Sequence, residues 1–386
     1  MRAGRLAGGG SKLQMRRRRS SHKLTSRPSD RHLTVRNGEI VLFALKRAAA
    51  LFSYLFAVAG AHAQSTVTIA TVLSVPSAST FIALDKGYFR DVGVNVKVEN
   101  IDTLSRAMAL LATNQMQIAQ GGINAGYFNA VGQGLPVVMA LESGSTPVWH
   151  NFIVRPDLKD VIKTPSDLKG RNVAVSGPGS LSVYELGVLL ENVGLTLADV
   201  NVKNLSFSQM LPSLANKSLD VALMVAPFSD HAVEQGVGVP WIDPEVGQIK
   251  ALPMTSLAYM ASADWIRQNR EVAKKVFSAL LRGAREYCQA YHNGPNRDEV
   301  LDIMVRNGIA PDRAFLNRLK WQARNPDGAF NPDSIRDIKR LYKKEGLIER
   351  DPPDDKLIDA SLGADAVKEL GPFELINKAS PLQGCR

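Results

Sequence analysis

Two cysteines, six histidines and an aromatic share of 6% are what this chain of 386 residues has little of. With Cys288 and Cys385 as the whole cysteine supply, no metal-ligand spacing can be written, so no metal and no other cofactor is expected. A dinucleotide loop is missing as well. Gly177 and Gly179 are followed by Ser182 where the third glycine of Gly-x-Gly-x-x-Gly would stand, and the next strand ends in Leu205-Ser206-Phe207 without an acidic residue. The apolar stretch Ala48–Ala61 is too short for a comfortable membrane span. A basic excess is missing from most of the chain. The formal charge is +10, but residues 1–63 hold 13 Lys and Arg against 2 acidic residues, so residues 64–386 carry a net −1. The high pI therefore gives no reason to expect nucleic acid as a partner.

What is present begins with an export signal. Lys46-Arg47 precede the apolar stretch, and Ala61-His62-Ala63 is a small-x-small cleavage pattern before Gln64. Residues 1–63 are thus a long leader plus signal peptide, cleaved after Ala63, and the remainder is expected in the periplasm. No cysteine follows the cleavage site, which speaks against a lipid anchor there. The leader is unusually long, and translation from Met1 or from near Val41 both fit it. Export permits a disulfide, but the sequence leaves open whether Cys288 and Cys385 pair.

About 320 residues remain, a size that usually divides into two compact units. The run Asp167–Gly194 reads as strand, tight turn and helix. Arg171–Ser176 is β-branched and bounded by polar residues, Gly177-Pro178-Gly179 breaks it, and Ser182 with Glu185 fits a capping box. Such a turn offers backbone N–H groups and hydroxyls at a helix N-terminus. Upstream, strands are expected at Val67–Ala70, Val94–Val98, Gln117–Gln120 and Leu135–Leu141 with helices between them, with Ser77 or Ser79 capping the first helix, a parallel βαβ pattern. It restarts at Asp167, with strands at Val200–Phe207 and Asp220–Val225 and a returning strand at Met254–Met260. Beyond it the chain reads as helical, notably over Glu271–Tyr291 and Asn331–Glu345. No charged residue lies between Arg106 and Glu142, between Arg171 and Glu185, or between Asp220 and Asp230. Those blocks hold the buried strands and the turns after them, so the cleft outside the strands' carboxyl ends should be walled by neutral residues.

Several segments, in order, carry a resemblance: Ala83-Leu-Asp-Lys-Gly-Tyr-Phe89 with Val92-Gly-Val94, Asp167-Leu-Lys-Gly170, Gly179-Ser-Leu-Ser-Val-Tyr184, Leu219-Asp-Val-Ala222 with Pro227, and Lys343-Lys-Glu-Gly-Leu-Ile348. Residues 66–365 resemble the periplasmic substrate-binding proteins of the taurine, alkanesulfonate and nitrate family, which includes thiamine-pyrimidine binders. The resemblance implies an α/β, two-lobed periplasmic-binding-protein (type II) fold, with two doubly wound sheets joined by two crossover strands near Trp149–Val154 and Met254–Met260. Lobe one would take residues 64–152 and 255–386, and lobe two residues 153–254. It further implies a non-catalytic, monomeric receptor that captures a small organic anion and hands it to ABC permease and ATPase subunits. The alternatives are a neutral pyrimidine or thiamine precursor as solute, an enzyme related to thiamine-pyrimidine synthase, or a sensor subunit. Candidate ligand residues are Ser77, Ser79, Gly122 and Asn124 from lobe one, Gly179, Ser180, Ser182, Pro227 and Phe228 from lobe two, and Trp149 beside the crossover. His150 reads as hinge packing rather than as a ligand contact. Three departures bear on the solute: Val225-Ala226 where sulfonate binders often carry an aromatic before the proline, Val183 where some members have a histidine, and Asn114 where glycine is usual.

Overall fold

The computed structural model describes residues 66–101, 104–147, 150–241, 253–382 and 384–385. The leader, the cleavage site and Trp149 lie outside the described residues. Ten strands are found among them: β1 Val67–Thr71, β2 Val96–Asn100, β3 Ile118–Gly122, β4 Val137–Ser145, β5 Asn151–Val154, β6 Asn172–Val175, β7 Asn201–Asn204, β8 Val221–Met224, β9 Val239–Pro240 and β10 Thr255–Ser262. They form two five-stranded sheets with the orders β2-β1-β3-β10-β4 and β7-β6-β8-β5-β9. Eight helices frame the site: α1 Ala78–Asp85, α2 Ser105–Ala112, α3 Ala125–Gly132, α4 Leu181–Glu191, α5 Phe207–Ala215, α6 Phe228–Glu234, α7 Arg270–Tyr291 and α8 Pro332–Lys344.

The fold class stands, but each sheet is mixed rather than wholly parallel. β10 runs antiparallel between β3 and β4, so the fourth strand of the opening βαβ series does not pair with the third. In the second sheet β5 is antiparallel to β8. The core strands are apolar on both faces because helices cover both. Ile69, Ala119, Met260 and Val221, for example, are fully buried.

Helix α7 shows how the first sheet is covered. Val276, Phe277, Leu280, Leu281, Ala284, Tyr287 and Cys288 recur at three- and four-residue spacing and are buried. Gly283 lets this helix approach α1, since a Cβ there would stand 2.3 Å from the Ser79 carbonyl oxygen. Cys288 on α7 is disulfide-bonded to Cys385, with their Cα atoms 5.1 Å apart, which settles the pairing that the sequence leaves open. Asn331 caps α8 by accepting a hydrogen bond from the Asp333 N–H, at the start expected from the sequence.

Two expected caps are replaced. Helix α4 is capped at Ser180, without a side-chain bond, and not by a Ser182–Glu185 box. Ser182 is fully buried, and its hydroxyl accepts the Ser176 N–H at 3.0 Å. Glu185 turns instead to His150. At α1, Ser77 occupies the N-cap position in helical geometry and makes no capping bond, because its hydroxyl donates to the Ser74 carbonyl at 2.8 Å.

Candidate functional site

The carboxyl ends of β1, β3, β6 and β8 converge on a cavity of about 100 Å³. From the first sheet and its connections come Thr71, Val72, Ser74, Pro76, Ser77, Leu104, Gln120, Gly121, Gly122, Asn124, Leu257 and Gln322. His150, Ser176, Ser180, Leu181, Phe207 and Val225 face them from the second sheet's side. No lysine, arginine, aspartate or glutamate is among these residues, and His150 is the one titratable side chain. The neutral wall is what the uncharged sequence blocks lead one to expect at strand ends.

Four of the candidate residues, Ser77, Gly122, Asn124 and Ser180, line this cavity. Asn124 also caps α3, its Oδ1 accepting the Tyr127 N–H at 2.9 Å. Ser79 and Ser182 lie behind the wall. The Ser79 hydroxyl is 3.2 Å from the Tyr259 hydroxyl and accepts from Arg324, while Ser182 bonds the Ser180 hydroxyl at 2.9 Å. Pro227 and Phe228 line a second cavity of about 510 Å³, together with Ser206, Ser208, His231 and Ile309. Val72 and Phe207 wall both cavities, and the Phe207 and Phe228 rings stack with centroids 5.5 Å apart.

Gly179 has a different neighbour from a solute. Its carbonyl accepts the Ala125 N–H of α3 at 2.8 Å, so the glycine turn is bonded to the first-sheet side of the cleft. A Cβ on Gly179 would stand 2.6 Å from the Ala125 Cβ, and the residue has φ +60°. The Tyr342 hydroxyl on α8 ties the same region, lying 3.1 Å from the Ile123 carbonyl and 2.8 Å from that of Ser180. The two sides therefore meet around the cavity in a closed arrangement.

At the cavity floor Gln120 gathers a hydrogen-bond network. Gln120 Oε1 accepts from the hydroxyls of Thr71 at 3.0 Å and Thr80 at 3.2 Å, and its Nε2 donates to the Pro76 carbonyl at 3.0 Å. Arg324, 1% exposed, donates to the same carbonyl at 3.2 Å and lies 3.8 Å over the Tyr287 ring. This buried cation braces the segment 74–79 from behind and does not face the solute space. Burial pushes the Glu142 carboxyl up to about 8, with Arg324 and the Asn325 N–H pulling it back.

Sequence reasoning missed Gln120, Phe207, Leu257 and Gln322 as wall residues. Gln120 could have been found, because it closes a strand inside the longest uncharged block. Leu257 and Gln322 enter only through the return of the chain to the first sheet, and no local pattern marks them.

The family model described as NMT1/THI5 like matches residues 76–291, more than half of the chain. The chain belongs to the NMT1/THI5-like family. Among its relatives, the riboflavin-binding protein RibY of Chloroflexus aurantiacus is 26% identical over 252 residues, 63% of this chain and 66% of RibY, just short of two thirds of its length. The ligand-binding component of an ABC-type import system from Staphylococcus aureus, solved with zinc bound, superposes with a TM-score of 0.64 at 13% identity, covering 78% of this chain and 99% of that one. The alkanesulfonate-binding protein SsuA of Xanthomonas axonopodis pv. citri, bound to MOPS, gives 0.62 at 15% identity over 78% and 97%. These structures show the periplasmic-binding-protein fold of the family member described here.

Proposed function

We propose that this chain is the exported, non-catalytic solute receptor of an ABC importer, and that its solute is a neutral, planar, hydrogen-bonding molecule of the pyrimidine or flavin kind. Residues 64–152 and 255–386 serve as one lobe and 153–254 as the other, with β5 starting at Asn151. The observation that carries the solute class is the cavity wall. Val72, Pro76, Leu104, Leu181, Phe207, Val225 and Leu257 supply apolar faces, amides and hydroxyls lie between them, and no fixed charge is present among the described lining residues. Burying an anion with no cation on the wall costs more than burying a neutral ring whose polar edge is matched.

The second reading, a small organic anion such as a sulfonate or nitrate, draws on the N-terminus of α4, where Ser180 stands at the cavity. A thermal-shift screen separates the two, because a ligand that binds only the folded state raises its apparent stability. Riboflavin and thymine should raise the melting temperature, while nitrate, taurine and MOPS should not. A shift with the anions alone would overturn the neutral reading. Gene neighbourhood distinguishes an importer receptor from a sensor subunit, and the import function predicts permease and ATPase genes beside this one.

A further inference from the structure

His150 and Glu185 are joined at the edge of the cavity. Nδ1 of His150 lies 2.9 Å from Oε1 and 2.8 Å from Oε2 of Glu185. The Glu185 side chain is 0% exposed and that of His150 8%. Among the described residues no lysine or arginine shares this carboxylate, and the tyrosine whose ionisation it opposes, Tyr342 on α8, has its hydroxyl on the Ser180 and Ile123 carbonyls. The imidazole also lies beside the Phe207 ring, 5.8 Å away between centroids. His150 also lines the cavity.

We propose that the His150–Glu185 pair holds one proton and thereby presents the His150 Nε2–H to the cavity as a donor for an acceptor atom of the solute. The argument is one of counting. With one shared proton, the pair is either imidazolium and carboxylate, or neutral imidazole and carboxylic acid. In the first state both ring nitrogens carry hydrogen. In the second, the acid donates to Nδ1 and the ring hydrogen sits on Nε2. Both states show the cavity an N–H with no net charge on the pair. Only loss of that proton reverses the edge, because Nδ1–H then donates to the carboxylate and Nε2 becomes an acceptor. That state leaves a net negative charge on a buried carboxylate that no lysine or arginine among the described residues compensates, which burial disfavours. Burial accordingly pushes the Glu185 carboxyl up, with His150 opposing it.

This assigns a specificity role within the solute-receptor reading, on which its binding arm rests. The solute should carry a carbonyl, ring-nitrogen or oxyanion acceptor at that edge. The first test needs no solute. Three of the six histidines, His150, His231 and His292, lie beyond residue 63, so nitrogen NMR with labelled histidine, assigned by comparison with His150→Gln, reads the ring directly. Nε2 of His150 should carry hydrogen near neutral pH. An unprotonated Nε2 near neutral pH would overturn the proposal. The second test is calorimetric titration with whichever of riboflavin, thymine, nitrate or MOPS gives the largest thermal shift. His150→Asn, too short to reach, should bind about tenfold more weakly. His150→Gln, whose amide can donate in the place of Nε2–H, should retain affinity. Equal affinity in wild type and His150→Asn would sink the specificity role. Failure of all four probes would count against the receptor reading, and the NMR result would still decide the proton.

Discussion

Gly179→Ala tests whether the cleft is closed in solution as the structure shows it. The added Cβ has two separable costs. One is local: at φ +60° an L-residue is disfavoured by about 1–2 kcal/mol, wherever α3 happens to be. The other exists only when the turn touches α3. A Cβ–Cβ separation of 2.6 Å is well inside ordinary contact, so the turn must move. That movement puts the Gly179 carbonyl's 2.8 Å bond from the Ala125 N–H at risk. Losing that bond costs about 0.5–1.5 kcal/mol. Ala125→Gly removes the opposing methyl and leaves the Ala125 Cα and N at 3.6 Å, an ordinary contact. By itself it should cost about 0.5–1 kcal/mol as a glycine in a helix. The two substitutions should therefore be strongly non-additive, the pair being more stable than the sum of the single losses by roughly 0.5–3 kcal/mol. Urea unfolding of the four proteins, with slopes checked for constancy, measures this cycle. Additivity to within about 0.5 kcal/mol would mean that the turn and α3 do not meet in the unliganded protein, and the closed reading would fall.

Two further outcomes follow from buried groups. Glu142, with its carboxyl pushed up to about 8 from an ordinary 4.5, binds a proton more tightly folded than unfolded. Its contribution is complete below pH 4.5 and is lost as pH rises toward 8, so Glu142→Gln should flatten the decline in melting temperature across that window; an unchanged slope would refute the assignment. The Cys288–Cys385 bond closes a loop of sequence separation 97, and reduction, or replacement of both by serine, should cost about 2–5 kcal/mol in chemical unfolding. Equal stability with and without reductant would show that the bond does not constrain the unfolded chain.

The sequence determined what kind of wall the strand ends make, while the ends themselves fall at Asn100, Gly122, Ser145 and Asn204 rather than at the expected Val98, Gln120, Leu141 and Phe207. A charge on a buried strand end carries a desolvation cost, so the blocks flanked by Arg106 and Glu142, Arg171 and Glu185, and Asp220 and Asp230 mark the cavity's neutral lining before any coordinates. Helix α7 and the cap at Asn331 were legible for the same local reasons, periodicity and capping. Partnerships between distant residues were not. Glu185 satisfies every local rule for a capping box, yet it pairs with His150 because a buried imidazole 35 residues away offers a better partner than a backbone N–H. Gly179 reads locally as a turn glycine, and only the approach of Ala125 shows why no side chain fits there. β10 enters between β3 and β4, bringing Leu257 to the wall, and Gln322 joins it from the returning segment, by a topology that no local window contains. Local physics wrote the elements and their polarity into the sequence, whereas proximity across the cleft, which chooses among partners that are locally equivalent, was set only when the two sheets came together.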